Sequence, residues 1–233
     1  MLNSLTKLAA DQVLNSTAAK QIAHQKVQIR KNVRAKRNSL DDVFQRSAAI
    51  SLSDKLSTLP SVMRAKTVAL YLANDSELSP SPFIKWCWQH GKQVVLPVLH
   101  PFSKGHLLFL CYTPESKMRI NCFGIPEPAL DVTTVMPLPA IDIIFTPLVA
   151  FDDQGHRLGM GGGFYDRTLV SYVNSGNSSN AKARQSVTRS EVIGLAHDCQ
   201  QVDLIPIEPW DIPLSTIITP TQIIQAKDLS STL

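Results

Sequence analysis

Ile-Asp-Ile-Ile-Phe-Thr-Pro-Leu-Val-Ala-Phe-Asp-Asp-Gln-Gly-His-Arg-Leu-Gly-Met-Gly-Gly-Gly-Phe-Tyr-Asp-Arg-Thr-Leu runs from Ile141 to Leu169. The apolar run from Ile141 to Phe151 predicts a buried strand. A polar turn with Gly155 follows, then the glycine loop Gly159–Gly163, then the first turns of a helix from Phe164. Strand, glycine loop and helix is the layout in which backbone N–H groups converge on an anion. Glycine allows positive φ and close approach of a ligand to the backbone. Five of the ten glycines lie between Gly155 and Gly163, a concentration hard to explain by packing alone. The loop lacks the G-K-[S/T] ending of a Walker A motif and is not a clean Rossmann fingerprint. A tight turn remains the bland alternative. Asp166 follows the loop at the helix start. A carboxylate beside phosphates repels them unless a cation lies between, and Mg²⁺ suits that place. Simple stabilisation of the helix dipole is the other reading of Asp166.

Working outward, strand and helix signals alternate. Thr67–Ala73, Gln93–Leu99, Val192–Ala196 and Ser215–Thr219 read as strands, the last as the final one. Phe44, Ala48, Leu52, Leu56 and Leu59 form an apolar helical stripe that Pro60 ends. Pro80 and Pro82 begin a helix that Gly91 stops, on which Trp86 and Trp88 cannot both face the core. Pro101–Gly105 and the strand after it suggest a hairpin. Phe123–Pro128 reads as a stiff, irregular segment lining something. This alternation predicts an α/β protein: one three-layer α/β/α domain with a mostly parallel central sheet. The expected domain spans 24–224, with an N-terminal extension 1–23, flexible or loosely helical, a surface insertion at 174–190 and a tail at 225–233.

Composition sets limits. The 233 residues are 44% hydrophobic and 18% charged, with net charge +4. That suits anionic small molecules better than a nucleic-acid backbone. No apolar run reaches membrane-spanning length, and no secretory signal is recognisable, so a cytoplasmic location is the expectation. The four cysteines lack C-x-x-C spacing and read as free thiols, and the six histidines read as mostly surface residues. Lys26, Arg30, Arg34 and Arg37 share one helical face. It is either a solvated cationic face or an edge aimed at phosphates. Glu77, in the loop at the carboxyl end of the first strand, is either a functional carboxylate or part of a loop before a helix. Asp211 is either a second magnesium carboxylate or an Asx-turn residue.

Taken together, Gly155–Asp166, Lys26–Arg30, Tyr71–Glu77, Phe123–Pro128 and Glu208–Asp211 resemble the 5-formyltetrahydrofolate cyclo-ligase (5,10-methenyltetrahydrofolate synthetase) family over about residues 24–224. The resemblance implies a ligase of folate and one-carbon metabolism on a sugar-phosphate isomerase/CoA-transferase-like scaffold. It would convert 5-formyltetrahydrofolate to the 5,10-methenyl form with ATP and Mg²⁺, as a monomer without nucleic-acid or membrane partners. It further implies nucleotide contacts at Lys26, Val27, Gln28, Ile29 and Arg30, and at Arg157, Leu158, Gly159, Met160, Gly161, Gly162, Gly163, Phe164 and Tyr165. Folate contacts are implied at Leu72, Glu77 and Met160 through Phe164, and Mg²⁺ at Asp166 and Asp211. No catalytic residue is assigned. Many family members carry Arg at Met160 and Lys at Gly162. The loop here is therefore short of positive charge, which the Lys26–Arg30 segment is expected to supply. Two other readings stay open: an isomerase- or CoA-transferase-like enzyme that does not use ATP, and a non-catalytic nucleotide- or RNA-binding module.

Overall fold

The computed structural model describes residues 2–174, 190–208, 211 and 213–226, with side chains from residue 19 and as far as Leu169 in the helix that ends at Asn174. Helix α1 spans Leu2–Asn38, so residues 2–23 continue the helix that carries Lys26–Arg37. Helix α2 (Asp42–Ser57) starts where the Asp41 carboxylate accepts the Phe44 N–H, satisfying a donor that the first helical turn leaves free. The short α3 is Pro60–Arg64. Strand β1 (Thr67–Ala69) leads through α4 (Ser81–Gln89) to β2 (Gln93–Leu99). An antiparallel turn then gives β3 (Leu107–Cys111), and a two-stranded ribbon follows, β4 (Met118–Ile120) with β5 (Pro126–Pro128). The remaining elements are β6 (Val135–Met136), β7 (Ile143–Pro147), the hairpin β8 (Ala150–Phe151) with β9 (Arg157–Leu158), α5 (Phe164–Asn174), β10 (Glu191–Leu195), β11 (Thr216–Ile218) and β12 (Ile223–Gln225).

The main sheet, counted among the described residues, has the order β12-β11-β10-β7-β1-β2-β3-β6. Its centre, β11-β10-β7-β1-β2, is parallel, and its outer strands are antiparallel. Alternation along the strands builds the layers. Val68, Val94, Ile143 and Phe145 pack with Leu52 and Leu56 of α2 and with Phe83 and Cys87 of α4. Their neighbours Ala69, Val95 and Ile144 face the other way, toward Leu169 of α5. Burial on both faces explains why these strands read as continuous apolar runs. The three-layer, mostly parallel α/β architecture expected from the sequence is present.

Five local expectations are corrected. The run 141–151 is not one strand: β7 ends at Pro147, and Ala150–Phe151 pairs with Arg157–Leu158 instead. Phe44 is exposed, because it sits in the first turn of α2, ahead of the stripe that the sheet covers. Pro126–Pro128 is regular after all, paired with Met118–Ile120. Ser215–Thr219 is not the last strand, since β12 adds antiparallel to β11. His156 and His197 are buried rather than at the surface. Of the two tryptophans, Trp86 lies partly exposed between Phe83 and His90, with ring centroids 5.5 and 4.1 Å away. Trp88 donates from Nε1 to the Tyr112 carbonyl at 3.0 Å. The expected insertion lies outside the described residues from 175 to 189, as does the tail from 227. Among the described residues no helix is long and apolar enough to cross a membrane.

Candidate active site

The glycine loop is carried by the β8–β9 hairpin, and one buried carboxylate organises that hairpin. Asp152 accepts the Gln154 and His156 N–H groups on Oδ1, at 3.1 and 3.0 Å. Its Oδ2 takes the Ile205 N–H at 3.1 Å and faces His156 Nδ1 at 3.0 Å. Gly155 closes the turn at φ +83°, and a Cβ there would lie 2.1 Å from the Leu214 carbonyl oxygen. Gly155 is therefore explained by packing. Gly162 and Gly163 are likewise crowded, by Phe164 and Arg167, but Gly159 has nothing within 4 Å of a built Cβ and Gly161, at φ +96°, has only Arg30. That leaves open space over the loop.

Helix α1 brings its cationic face to this loop. Arg30 Nε donates to the Gly159 carbonyl at 2.8 Å. One turn earlier, Lys26 Nζ is paired with Glu208 at 2.6 Å and Asp211 at 2.7 Å. Burial pulls against the Lys26 charge, but the hydrogen bonds to Asp211 and Glu208 outweigh it, and its pKa ends above the ordinary value. One to two turns later, Arg34 and Arg37 meet Asp75. Ile29 and Val33 anchor the helix against Val149, Ala150, Leu158 and Ile205. Val27 and Gln28 are exposed. The face is thus neither solvated nor uniformly free for phosphates.

Between the glycine loop, the sheet edge and the β4–β5 ribbon lies a cavity of about 500 Å³. Its floor is the carboxyl edge of the parallel strands: Tyr71 and Leu72 beyond β1, Leu96, Pro97 and Leu99 of β2, and Pro147 and Leu148 at the end of β7. Ligands of open α/β sheets bind at that edge. One wall is Gly159, Met160 and Gly162 through Asp166. The opposite wall is the β4–β5 ribbon, with Asn121, Phe123, Ile125 and Glu127. Glu127 is fixed by Arg119, Asn121 and the Leu99 N–H. Phe123 meets Phe164 edge to face at 5.7 Å, so ribbon and loop touch across the mouth.

The chemistry of the walls is mixed. Glu77 sits in a closed turn, with its carboxylate accepting the Asn74 N–H at 3.1 Å. Burial raises its pKa to about 7, against the lowering effects of the Asn74 N–H and Arg37. Burial likewise raises the Tyr165 phenol, and Glu77 adds to the rise. Tyr165 Oη and Arg157 Nε are buried without a protein partner among the described residues. Both residues line the cavity, although these two atoms are themselves covered by protein. Arg157 also donates from Nη2 to Asp166, whose side chain is still 39% exposed. Arg167 donates to the Gly105 and Gly162 carbonyls and lies over the Phe164 ring.

Of the residues singled out from the sequence, Leu72, Glu77, Arg157, Gly159, Met160, Gly162, Gly163, Phe164, Tyr165 and Asp166 line one cavity. Leu158 packs behind it, Arg30 and Gly161 lie beside it, and Asp211 is engaged with Lys26. Sequence reasoning missed Arg167, the Glu127 cluster and the Arg34–Asp75–Arg37 cluster. The i, i+3 arginine spacing was visible, but its carboxylate partner was not.

A three-layer α/β fold with a glycine-walled cavity at the carboxyl edge defines the class, an enzyme for a sizeable small molecule. The 5-formyltetrahydrofolate cyclo-ligase family model matches residues 22–220. The 5-formyltetrahydrofolate cyclo-ligase of Escherichia coli K12 is 44% identical over 191 residues, covering 82% of this chain and 98% of that protein. The Haemophilus influenzae protein of the same name is 46% identical over 191 residues, covering 82% and 95%. A solved structure, the Aquifex aeolicus 5,10-methenyltetrahydrofolate synthetase, is similar with a TM-score of 0.69 at 26% identity, covering 87% of this chain and 93% of that one. The chain belongs to the 5-formyltetrahydrofolate cyclo-ligase family.

Proposed function

We propose that the protein cyclises 5-formyltetrahydrofolate to 5,10-methenyltetrahydrofolate, using ATP with Mg²⁺ and releasing ADP and phosphate. The observation that carries this reading is the single cavity whose walls hold both Glu77 and the glycine loop. A folate at the sheet edge and a phosphate chain at the loop would share one chamber. The chemistry then follows. The N5-formyl oxygen is a poor leaving group. It attacks the γ-phosphorus, the bond to ADP breaks, and an imidate-like phosphate forms. N10 adds to the activated carbon and loses its proton to solvent, phosphate departs with the former formyl oxygen, and the ring is closed. Such chemistry asks the protein mainly for positioning and charge neutralisation.

In this reading Arg30, Arg157 and the N–H groups of Gly159–Gly163 hold the phosphates. The placement of Arg157, Gly159, Gly162 and Gly163 in the cavity wall supports that role. Leu72, Met160 and Phe164 pack on the folate, and Glu77 hydrogen-bonds its pterin. A pKa near 7 lets Glu77 donate when protonated or accept when ionised. Mg²⁺ would neutralise charge between phosphate oxygens. Asp166, partly exposed in the cavity wall, fits the one or two carboxylates such an ion takes beside phosphate. Among the described residues no preformed cluster of three or more His, Cys, Asp or Glu side chains is present. Asp211 would join it if Lys26 exchanged its carboxylates for phosphate oxygens. The same reading has the protein cytoplasmic and monomeric. Family membership favours it over an isomerase-like enzyme or a non-catalytic module. Purified protein with Mg-ATP and 5-formyltetrahydrofolate tests it through ADP release and the absorbance of the methenyl product.

A further inference from the structure

Asp75 and Ser76 both hold positive φ, 50° and 58°, though neither is glycine. They are the central pair of a turn closed by the Glu77 N–H on the Asn74 carbonyl at 3.0 Å. Two consecutive positive φ values are the pattern of a type I′ turn, which favours Asn-Gly or Asp-Gly because a side chain at the second position is strained. Asp tolerates the first position, but Ser76 gives no relief at the second. A turn of this sequence needs holding from outside.

The hold comes from α1. Arg34 donates to both Asp75 oxygens, from Nε at 2.8 Å and Nη2 at 3.0 Å. Arg37 Nη2 donates to Oδ2 at 2.6 Å. The Arg37 side chain is fully buried, and its Nε and Nη1 find no protein partner among the described residues. Asp75 is thus the carboxylate to which the buried Arg37 guanidinium is committed. Gln45 adds a weaker tie to the Ser76 carbonyl at 3.3 Å. The Arg34 hydrogen bond, with help from Arg37, keeps the Asp75 carboxyl below its ordinary range against burial, so the clamp stays ionised near neutral pH. Neither arginine is part of the cavity wall, whereas Asn74, Asp75 and Glu77 are.

We propose that Arg37 and Arg34 are positioning residues: by gripping Asp75 they hold the strained Asn74–Glu77 turn and so aim the Glu77 carboxyl into the cavity. The inference rests on the reading of Glu77 as a folate contact. Arg30, on the same helix, holds the glycine loop. Helix α1 therefore ties two sides of the chamber together, the glycine loop through Gly159 and the turn beyond β1 through Asp75.

Steady-state kinetics on the full chain test this, with thermal melts as a control for folding. Arg37→Met raises the KM for 5-formyltetrahydrofolate by about tenfold, the scale of a misplaced binding group, while the ATP KM moves by less than about twofold. Arg34→Met, at a side chain 43% exposed, acts in the same direction and carries the test if Arg37→Met does not fold. Adding Asp75→Asn and Ser76→Gly to either variant restores the folate KM, because that dipeptide holds the turn unaided. A purely structural role for the arginines would give no such rescue. Folate and ATP KM values that rise together, or a turn replacement that restores nothing, overturn the proposal. Glu77→Gln separates the two layers. If it raises the folate KM while both arginine variants do not, only the clamp is wrong. If it leaves that KM unchanged, the reading of Glu77 falls and the clamp's purpose with it.

Discussion

Arg30 Nε donates to the main-chain carbonyl of Gly159 at 2.8 Å, joining residues 129 apart in sequence. This bond puts a guanidinium against a loop that itself carries no Lys or Arg from Leu158 to Tyr165. Burial lowers the Arg30 pKa, with Asp211 and Glu208 opposing, yet a guanidinium does not lose its proton at working pH. Arg30→Met is expected to raise the ATP KM by roughly ten- to a hundredfold, the scale of a charge-assisted hydrogen bond, with less effect on folate. An unchanged ATP KM would show that the loop holds its phosphates without α1.

Asp166 is the carboxylate of the cavity wall beside the glycine loop. Its removal frees Arg157 but opens no core, because the side chain is partly exposed. Asp166→Asn, which keeps an oxygen for the buried Arg157 side chain, is expected to abolish turnover at all Mg²⁺ concentrations while the melting temperature stays within a few degrees of the parent, about one kcal/mol on this chain length. Full activity in this variant removes Asp166 from the metal site.

Glu77 gives a pH signature. Its pKa rises on folding from the ordinary 4.5 to about 7. Between those values the folded state holds more protons than the unfolded one. Stability from this group is therefore complete below about pH 4.5 and declines as pH rises through about 7. The groups facing it are Arg37, Asp75, Tyr71 and Tyr165 together with the Asn74 N–H. Glu77→Gln should abolish this decline, so that the variant gains on the parent, by at most about 3 kcal/mol, as pH rises from 4.5 to 8. Paired denaturant melts across that range measure it, and parallel curves contradict it.

Gly155 and Gly159 separate packing from ligand space. Gly155→Ala forces a Cβ into the Leu214 carbonyl at positive φ. It should lower stability by about 2 kcal/mol or more, read as a drop of several degrees in melting temperature. Gly159→Ala meets no protein atom. It should melt like the parent and lose ATP affinity instead. Equal stability loss in both would make the loop a mere turn.

Much of this was readable in advance, for identifiable reasons. Strand β2 and helix α4 have the bounds that period and proline placement imply, because their signals are local. The β7–β8 break was invisible, because apolarity reports burial and not which strand is the partner. His197 looked like a loop-end surface residue, yet it is buried, with the Phe44 ring 6.1 Å away. Burial, with Arg37 adding to the effect, pushes its pKa down to about 4. That the glycine wall and Glu77 would line one cavity was legible once the resemblance linked them. The Lys26–Asp211 and Arg37–Asp75 pairs were not, since each joins charges that only the tertiary fold brings together. The basic face therefore looked uniform, although only Arg30 reaches the glycine loop.

The most direct measurement mixes purified protein, Mg-ATP and 5-formyltetrahydrofolate and follows ADP and the methenyl absorbance together. ADP should form only when the folate is present, one per methenyl product, and omission of Mg²⁺ should stop both. Methenyl product without ADP, ADP without folate, or neither product at all would contradict the proposed reaction.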